Sequence, residues 1–591
     1  MWPAPHHETV GDMREVGRAV ITALRPGPRP YAVAAALRAL VAAGVIAVVG
    51  AVVGDLEVVG IAYLAAACSV AFVTGGTYRN RSIALCAQGV GAAGGIVVGA
   101  TLDSDPIAMI AVAAIGGLVS GLVGGIGPNA PAFGMMLSIG IAFGQFGGSD
   151  LTPWRQAVWY GAGTFVVAAA TVSPWIFRRG AIERAAAADV LDAAADLCVA
   201  VGTGTERAAR ARLTTASATA RLARTPAQVQ QVSFAVSAIY ADAAESPNAH
   251  VPTGAVDALR DAARQTRSGR PISVDTRWKA DTAALRALAR ALRGEVDADD
   301  PRRRLRASLR TLRTATSWLN AARLAACLGV ATAITAAAHE PAHSFWLPLT
   351  VAVIVRPEYG SVVFRTINRV AGSVAGALVA AGVLALWPYG VPVAVAAAVS
   401  LGFAVLTAPK LYALSVVGVT SSALLAVSIG HGDVVLPVIR VIDTLAGAAV
   451  AIVVGYVLWP GARRLPQPAR LTAACAAAQE YLDQAQLPRD GRVHWARRRE
   501  EAYLSAHQAK DACLAALAEP PPVPAGARRI LPTAVELEET TDAITAVGAA
   551  ADAGDDVTAR AAELGRRLDS IRRAGEAVDR AESTIRRPMS P

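Results

Sequence analysis

The chain is 591 residues long, 54% hydrophobic and only 17% charged, with net charge +10 and mean hydropathy +0.40. Soluble globular domains carry about 25% charged residues, so this composition excludes an ordinary soluble enzyme. The charge is unevenly placed: residues 32–177 hold nine Asp, Glu, Lys or Arg, 318–460 hold ten, and the other 302 residues hold 83. Two apolar blocks alternating with two charged ones describe an all-α polytopic membrane protein.

Residues 1–31 form a polar N-terminal segment with His6, His7, Glu8 and Asp12 and no apolar core of a signal peptide. The first apolar block, 32–177, divides at its polar and Gly/Pro breaks into six spans near 32–54, 58–75, 82–102, 106–126, 131–148 and 156–177. Residues 178–317 read as a helical domain, with apolar residues at helical spacing through Ala181–Val201, Pro226–Ala244 and Asp281–Arg293. The second block, 318–460, divides into six spans near 318–338, 344–356, 366–387, 390–408, 411–430 and 436–459. Span 344–356 is short and holds Pro348, the pattern of a broken or partly re-entrant helix. Residues 461–591 form a second helical domain, broken at Pro520–Pro524 and ending in a disordered tail.

Loop charge sets the orientation. Arg79, Arg81, Arg178, Arg179, Arg356, Arg365, Arg369, Lys410, Arg463 and Arg464 flank one set of loops. Asp55, Glu57, Asp103, Asp105, Asp150, Glu340 and Asp433 occupy the other, with only Arg155 and Arg440 at helix edges. The positive-inside rule puts both termini and both polar domains in the cytoplasm, so the net positive charge is loop charge and implies no nucleic acid. The abundance of Arg over Lys, with much Ala, Val and Gly, suggests a GC-rich bacterial genome. The two halves repeat at an offset of about 281–285, matching Pro106 to Pro388, Pro128 to Pro409 and Arg155 to Arg440. An even number of spans per half makes these parallel pseudo-repeats.

Three motifs have bland explanations. Gly91, Gly95 and Gly99, then Gly117, Gly121 and Gly125, then Gly372 and Gly376 recur at the spacing that lets transmembrane helices approach closely. His339-Glu340-Pro341-Ala342-His343 spells H-E-x-x-H, but Pro341 disfavours the helix that zinc hydrolysis requires. The arginine run from Arg302 to Arg313 is topological charge, with anionic lipid as an alternative ligand. The six cysteines show no C-x-x-C, and no metal, cofactor or Walker A sequence is indicated.

The remaining constellation is sharper. Arg365 and Arg369 share one face of a helix start, Gly372 and Gly376 continue that helix, and Arg440 lies three residues before Asp443, with Thr444 and Gly447 following. Ionisable residues inside a membrane are costly and mark pathways. These segments resemble the fusaric acid resistance and aromatic acid exporter family, distantly similar to plant aluminium-activated malate transporters. The resemblance rests on Trp346, Thr350, Pro357, Gly360, Arg369, Gly372 and Gly376, then on Arg440, Asp443, Thr444, Gly447 and Pro460. It is specific in the second half only: the first lacks the Trp-x-x-x-Thr element, and Val158 stands where Asp443 would.

The resemblance implies export of organic anions, especially aromatic carboxylates, across the bacterial plasma membrane. Arg369 and Arg440 are then the expected carboxylate ligands, with Trp346, Thr350 and Arg365 along the pathway. Asp443 holds Arg440 or carries a coupling proton, and Trp346 and Tyr359 stack on substrate or anchor the interface. A passive anion channel and a non-transporting scaffold acting through the helical domains stay open. A major-facilitator carrier does not fit, because the loop Gly75–Arg81 lacks that family's motif. The expected partners are the lipid bilayer and a small organic anion; a homo-oligomer or accessory subunit stays open.

Overall fold

The computed structural model describes residues 26, 30–71, 76–102, 105–124, 126, 129–148, 151–223, 225–245, 250–295, 315–338, 345–355, 362–430, 435–459, 467–517 and 523–585. Their regular elements are helices, with no strand among the described residues. The chain divides into two compact units, one of residues 1–176, 302–464 and 518–520, the other of 177–301, 465–517 and 521–591.

The first unit holds α1 (Val33–Val53), α2 (Leu56–Ala71), α3 (Tyr78–Ala100), α4 (Pro106–Val123), α5 (Ala130–Phe146) and α6 (Pro153–Val172). After the second unit's first segment it continues with α12 (Ala315–Ala338), α13 (Trp346–Ile354), α14 (Val362–Leu386), α15 (Val391–Thr407), α16 (Tyr412–Val427) and α17 (Leu436–Ile452). A helix stands at each expected span. Seven of them are long and apolar enough to cross a membrane alone: α1, α3, α4, α6, α12, α14 and α17, the four-residue extension of α6 and the five-residue extension of α17 being counted with them. Four others (α2, α5, α15 and α16) are shorter, and α13 has nine residues. Sixteen or seventeen residues reach about 25 Å, and α13 only about 14 Å, against a hydrocarbon core of ~30 Å.

Lipid is the solvent these helices fit. On α1 the exposed residues Val33, Leu37, Val41, Val45, Val48 and Val52 form one apolar stripe, while Ala36, Ala39, Ala43, Ile46 and Gly50 face inward. Water would penalise such a stripe at about 25 cal/mol per Å²; a bilayer accepts it. The chain is therefore a multi-pass membrane protein. Prolines in the first turns of α4, α5, α6, α15 and α17 occupy positions where a missing N–H costs nothing.

Within α1–α6 the packed pairs include α1 with α2, α1 with α6, α2 with α6, α3 with α5, α3 with α6, and α4 with α5. The same six pairings recur among α12–α17. Across the two sets, α1 packs on α15 and α4 on α12, while α2 packs on α16 and α5 on α13. Absent side chains set the closest crossings. A Cβ at Gly91, Gly95 or Gly99 would lie 2.5, 2.4 or 2.3 Å from a carbonyl oxygen of α5, so only glycine fits. Gly372 and Gly376 stand against α16 in the same way, at 2.6 and 2.7 Å. Gly117 and Gly121 lie against Ala325 and Ala321 of α12. Gly125 lies outside the described residues.

The second unit holds α7 (Ala181–Ala200), α8 (Glu206–Leu222), α9 (Ala227–Glu245), α10 (Thr253–Arg267) and α11 (Ala283–Leu292), then α18 (Gln467–Ala485), α19 (Trp495–Ala516), α20 (Val523–Ala553) and α21 (Thr558–Ile585). Its two chain segments share one core, in which α9 and α11 pack on α20 and Leu191, Leu259, Leu288, Leu537 and Ile544 are buried. Arg210 of α8 clamps the segments together. Its Nε donates to Asp542 at 2.5 Å and its Nη1 to Glu538 at 3.1 Å. Lys510 at 2.6 Å and His507 at 3.1 Å complete the shell around Glu538. Burial alone would raise the Glu538 carboxyl; His507, Arg210 and Lys510 outweigh it and hold the group at about 2. Asp542 is raised, because burial there prevails over Arg210.

Candidate functional site

The site forms where α13, α14 and α17 meet. Gly447 lets α17 lie against α13: a Cβ there would be 2.9 Å from Thr350 Cβ and 3.0 Å from the Leu347 carbonyl. Two turns earlier on α17 stands Arg440, only 1% exposed. Its Nη1 donates to the Trp346 carbonyl at 3.4 Å and to Thr350 Oγ1 at 3.3 Å. Its guanidinium lies 4.6 Å from the Trp346 ring centroid. Thr444 Oγ1 donates to the Arg440 carbonyl at 2.7 Å, filling the next turn. Arg369 of α14 is 5% exposed and lies within electrostatic range of Arg440. Asn368 beside it accepts the Ala413 N–H at 3.1 Å, which ties α14 to α16.

Two buried guanidiniums in mutual repulsion are costly unless something compensates them. The protein's own acceptors compensate only in part. Arg369 Nε, Arg440 Nε, Trp346 Nε1 and Ser373 Oγ are all buried without a hydrogen-bond partner among the described residues. A buried donor left unmade costs about 1–3 kcal/mol. These donors come from α13, α14 and α17, and the positive charge of the two arginines favours an anion.

An aromatic row runs beside the arginines. Tyr160 of α6 and Phe143 of α5 have ring centroids 6.4 Å apart, Phe143 meets Phe345 edge-on at 5.2 Å, and Phe345 meets Trp346 at 4.1 Å. Trp346 then carries Arg440 on its face. The Tyr160 hydroxyl meets Met136 Sδ at 3.9 Å. Side chains of both six-helix segments therefore contribute to this aromatic row.

Of the sequence-predicted residues, Trp346, Thr350, Arg369 and Arg440 come together. Arg365 sits half-buried in the first turn of α14, one turn before Arg369. Asp443 is half-buried on α17 and acts on Arg440 through its field, while Arg440's hydrogen bonds go to α13. Pro357, Tyr359, Gly360, Pro460, the His339–His343 motif and the Arg302–Arg313 run lie outside the described residues. Sequence reasoning missed Phe143, Tyr160 and Phe345. Each reads as an ordinary apolar position in its helix, and only tertiary packing brings Phe143 and Tyr160 into the row that ends on Trp346. Among the described residues, no three His, Cys, Asp or Glu side chains converge as metal ligands.

Residues 326–454 match the sequence model of the family described as fusaric acid resistance protein-like. The matched stretch begins within α12 and runs to the end of α17, and so contains Trp346, Thr350, Arg369 and Arg440. No curated protein and no solved structure matches the chain.

Proposed function

Because residues 326–454 are a fusaric acid resistance protein-like domain in a multi-pass membrane protein, we propose that the chain exports organic anions, aromatic carboxylates foremost, across the bacterial plasma membrane. The observation that carries this reading is the set of unsatisfied donors around two buried arginines. A carboxylate entering the membrane loses its hydration shell. Planar guanidiniums replace that shell with charge-assisted hydrogen bonds and add geometric selection. The row from Tyr160 to Trp346 offers faces and edges to an aromatic ring, worth about 0.5–1.5 kcal/mol per ring contact beyond its area.

In this reading the two six-helix segments are parallel pseudo-repeats, supported by their shared pairings. The register is finer than the loops suggested. Pro153 and Pro437 open α6 and α17, and Gly163 and Gly447 close on α2 and α13; both pairs are 284 residues apart. Arg440 therefore answers to buried Gln156, one position from exposed Arg155. Both termini and the second unit lie in the cytoplasm, as the loop arginines imply. Asp443 tunes Arg440 or carries a coupling proton, and the protein catalyses no covalent step.

The test is accumulation. Cells lacking the protein, cells carrying it and cells carrying Arg369→Gln are loaded with a panel of aromatic acids. Wild type lowers the intracellular level of at least one acid, and the variant, inserted at normal abundance, does not. Equal accumulation in all three strains across the panel would remove the exporter assignment.

A further inference from the structure

Every residue of α13 from Trp346 to Ile354 is buried, so this nine-residue helix begins and ends inside the first unit. Half-helices of this kind point the positive end of their dipole at anions. Phe345, at the N-terminal end, makes no side-chain cap. Leu349 donates to the Phe345 carbonyl at 3.1 Å and Pro348 has no N–H, so Trp346 and Leu347 carry the main-chain N–H groups of this end. What stands beside it is a cation. Arg440 donates to the Trp346 carbonyl and to Thr350 Oγ1, which fixes its guanidinium against the first turn of α13. A helix N-terminus disfavours positive charge, and burial strengthens the effect. The Arg440 Nε has no hydrogen-bond partner among the described residues, and neither has Trp346 Nε1, although a buried indole N–H normally finds one. Helical side chains lean toward the N-terminus, so the indole of the first residue projects past that end. The Arg440 guanidinium lies 4.6 Å from the centroid of this ring, which makes Nε1 and the guanidinium near neighbours.

We propose that Trp346 is the specificity-determining residue of the anion site: its indole N–H and the Arg440 Nε–H bind one carboxylate at the N-terminal end of α13. This inference rests on the anion-export reading and deepens it. An interface anchor does not suit a ring that is 2% exposed, with Arg440 and Phe345 already against it. Its unpaired edge is the N–H. A carboxylate offers two oxygens and about four lone-pair sites, enough to accept from the indole, from Arg440 and from a main-chain N–H of α13. Its negative charge also lies between a cation and a helix end that otherwise oppose each other. Arginine and tryptophan side chains donate hydrogen bonds and accept none. A neutral amide of the same shape brings its own N–H donors to that wall and leaves them unpaired, a mismatch that buried sites reject strongly. The indole therefore adds selectivity for carboxylates without adding another positive charge.

The experiment measures benzoate binding to the purified full-length protein by titration calorimetry, with benzamide as the neutral control. Wild type binds benzoate and discriminates against benzamide. Trp346→Phe keeps an aromatic ring under Arg440 and loses the N–H. It should weaken benzoate roughly 10- to 150-fold, as expected for losing a hydrogen bond to a charged group, and should narrow the discrimination against benzamide. A second readout separates donation from packing. In protein labelled with nitrogen-15 at its ten tryptophans, the indole resonance missing from Trp346→Phe belongs to Trp346. If that variant does not insert, Trp346→Tyr makes the same assignment. Benzoate should move this resonance downfield, with the midpoint found by calorimetry, and benzamide at the same concentration should leave it in place. If Arg440→Gln loses benzoate while the Trp346 resonance stays unmoved, or while Trp346→Phe binds within about twofold of wild type, the Trp346 assignment is wrong and the anion site stands. If Arg440→Gln also binds like wild type, or wild type binds no benzoate, the export reading itself fails.

Discussion

The helices α1–α6 and α12–α17 close the same pairs and differ in what stands beside those crossings. Gly91 and Gly95 seat α3 on α5 as Gly372 and Gly376 seat α14 on α16, each pair 281 residues apart. In the proposed repeat register Arg369 answers to Gln88, and both are buried. Arg440 answers to Gln156, whose Nε2 is spent on the Leu151 carbonyl at 2.9 Å. Opposite Gly163, α2 presents Ala62 where α13 presents Leu347 and Thr350 to Gly447. Under the proposed repeat, small residues fix the shared crossings, and positions one or two turns away differ. The second segment puts guanidiniums there, and the first puts neutral amides. The second unit sharpens the contrast, because its buried Arg210 is answered by two carboxylates.

Making the second segment resemble the first has the largest expected effect. Arg369→Gln and Arg440→Gln, separately, should each cost about 1.5–3 kcal/mol of anion binding, roughly 10- to 150-fold, with normal membrane insertion. The reverse emphasis, Gln88→Leu, should leave transport within a few-fold of wild type. Flux of an identified substrate in vesicles checks both, and an equal loss on the two sides would break the comparison.

Arg210→Ala should act on stability and leave the binding constant for anion alone. Removing one partner of a buried ion pair costs about 3–5 kcal/mol, read as a lower unfolding temperature of the second unit in detergent. The same network predicts an acid limit. Glu538 is held at about 2 against an ordinary value of 4.5, so its contribution is complete above 4.5 and lost as the pH falls through about 2. Asp542, raised by burial, works in the opposite sense over its own range. Glu538→Gln should flatten the acid limb of a thermal-stability profile, and an unchanged limb would show that other carboxylates set it.

The scaffold claim predicts near-equal damage on both sides. Gly95→Ala and Gly376→Ala should each destabilise by about 1–3 kcal/mol, because the added methyl meets a facing backbone. Thermal melts of the purified variants measure this, and a large difference between them would mean that the two crossings are not equivalent. Gly44→Ala on α1 is the smallest effect and carries the opposite sign. A Cβ there meets nothing within 4 Å, so it should stabilise by about 0.5–1 kcal/mol through helix propensity.

The helices were legible because hydrocarbon demands long apolar runs, and their breaks fall at Gly, Pro and charged residues. Even α13 declared itself through its shortness and Pro348. Arg369 and Arg440 stood out as charges where charge is costly. Their partners did not: Trp346 and Thr350 lie 94 and 90 residues before Arg440, and proximity in sequence pointed to Asp443 instead. Phe143 and Tyr160 carry no signal in a segment where any apolar residue would satisfy the pattern. The union of residues 177–301 with the later helical segments in one unit was equally hidden, since the clamp from Arg210 to Asp542 spans 332 residues.

The central claim is that the second segment's unsatisfied arginines are a carboxylate site. Titration of benzoate into the purified protein, comparing wild type with Arg440→Gln at matched folding, tests it most directly. The account predicts saturable binding by wild type and a loss of at least about tenfold in the variant, the effect of one charge-assisted hydrogen bond. Equal affinity in the two proteins, or no binding by either, would contradict it.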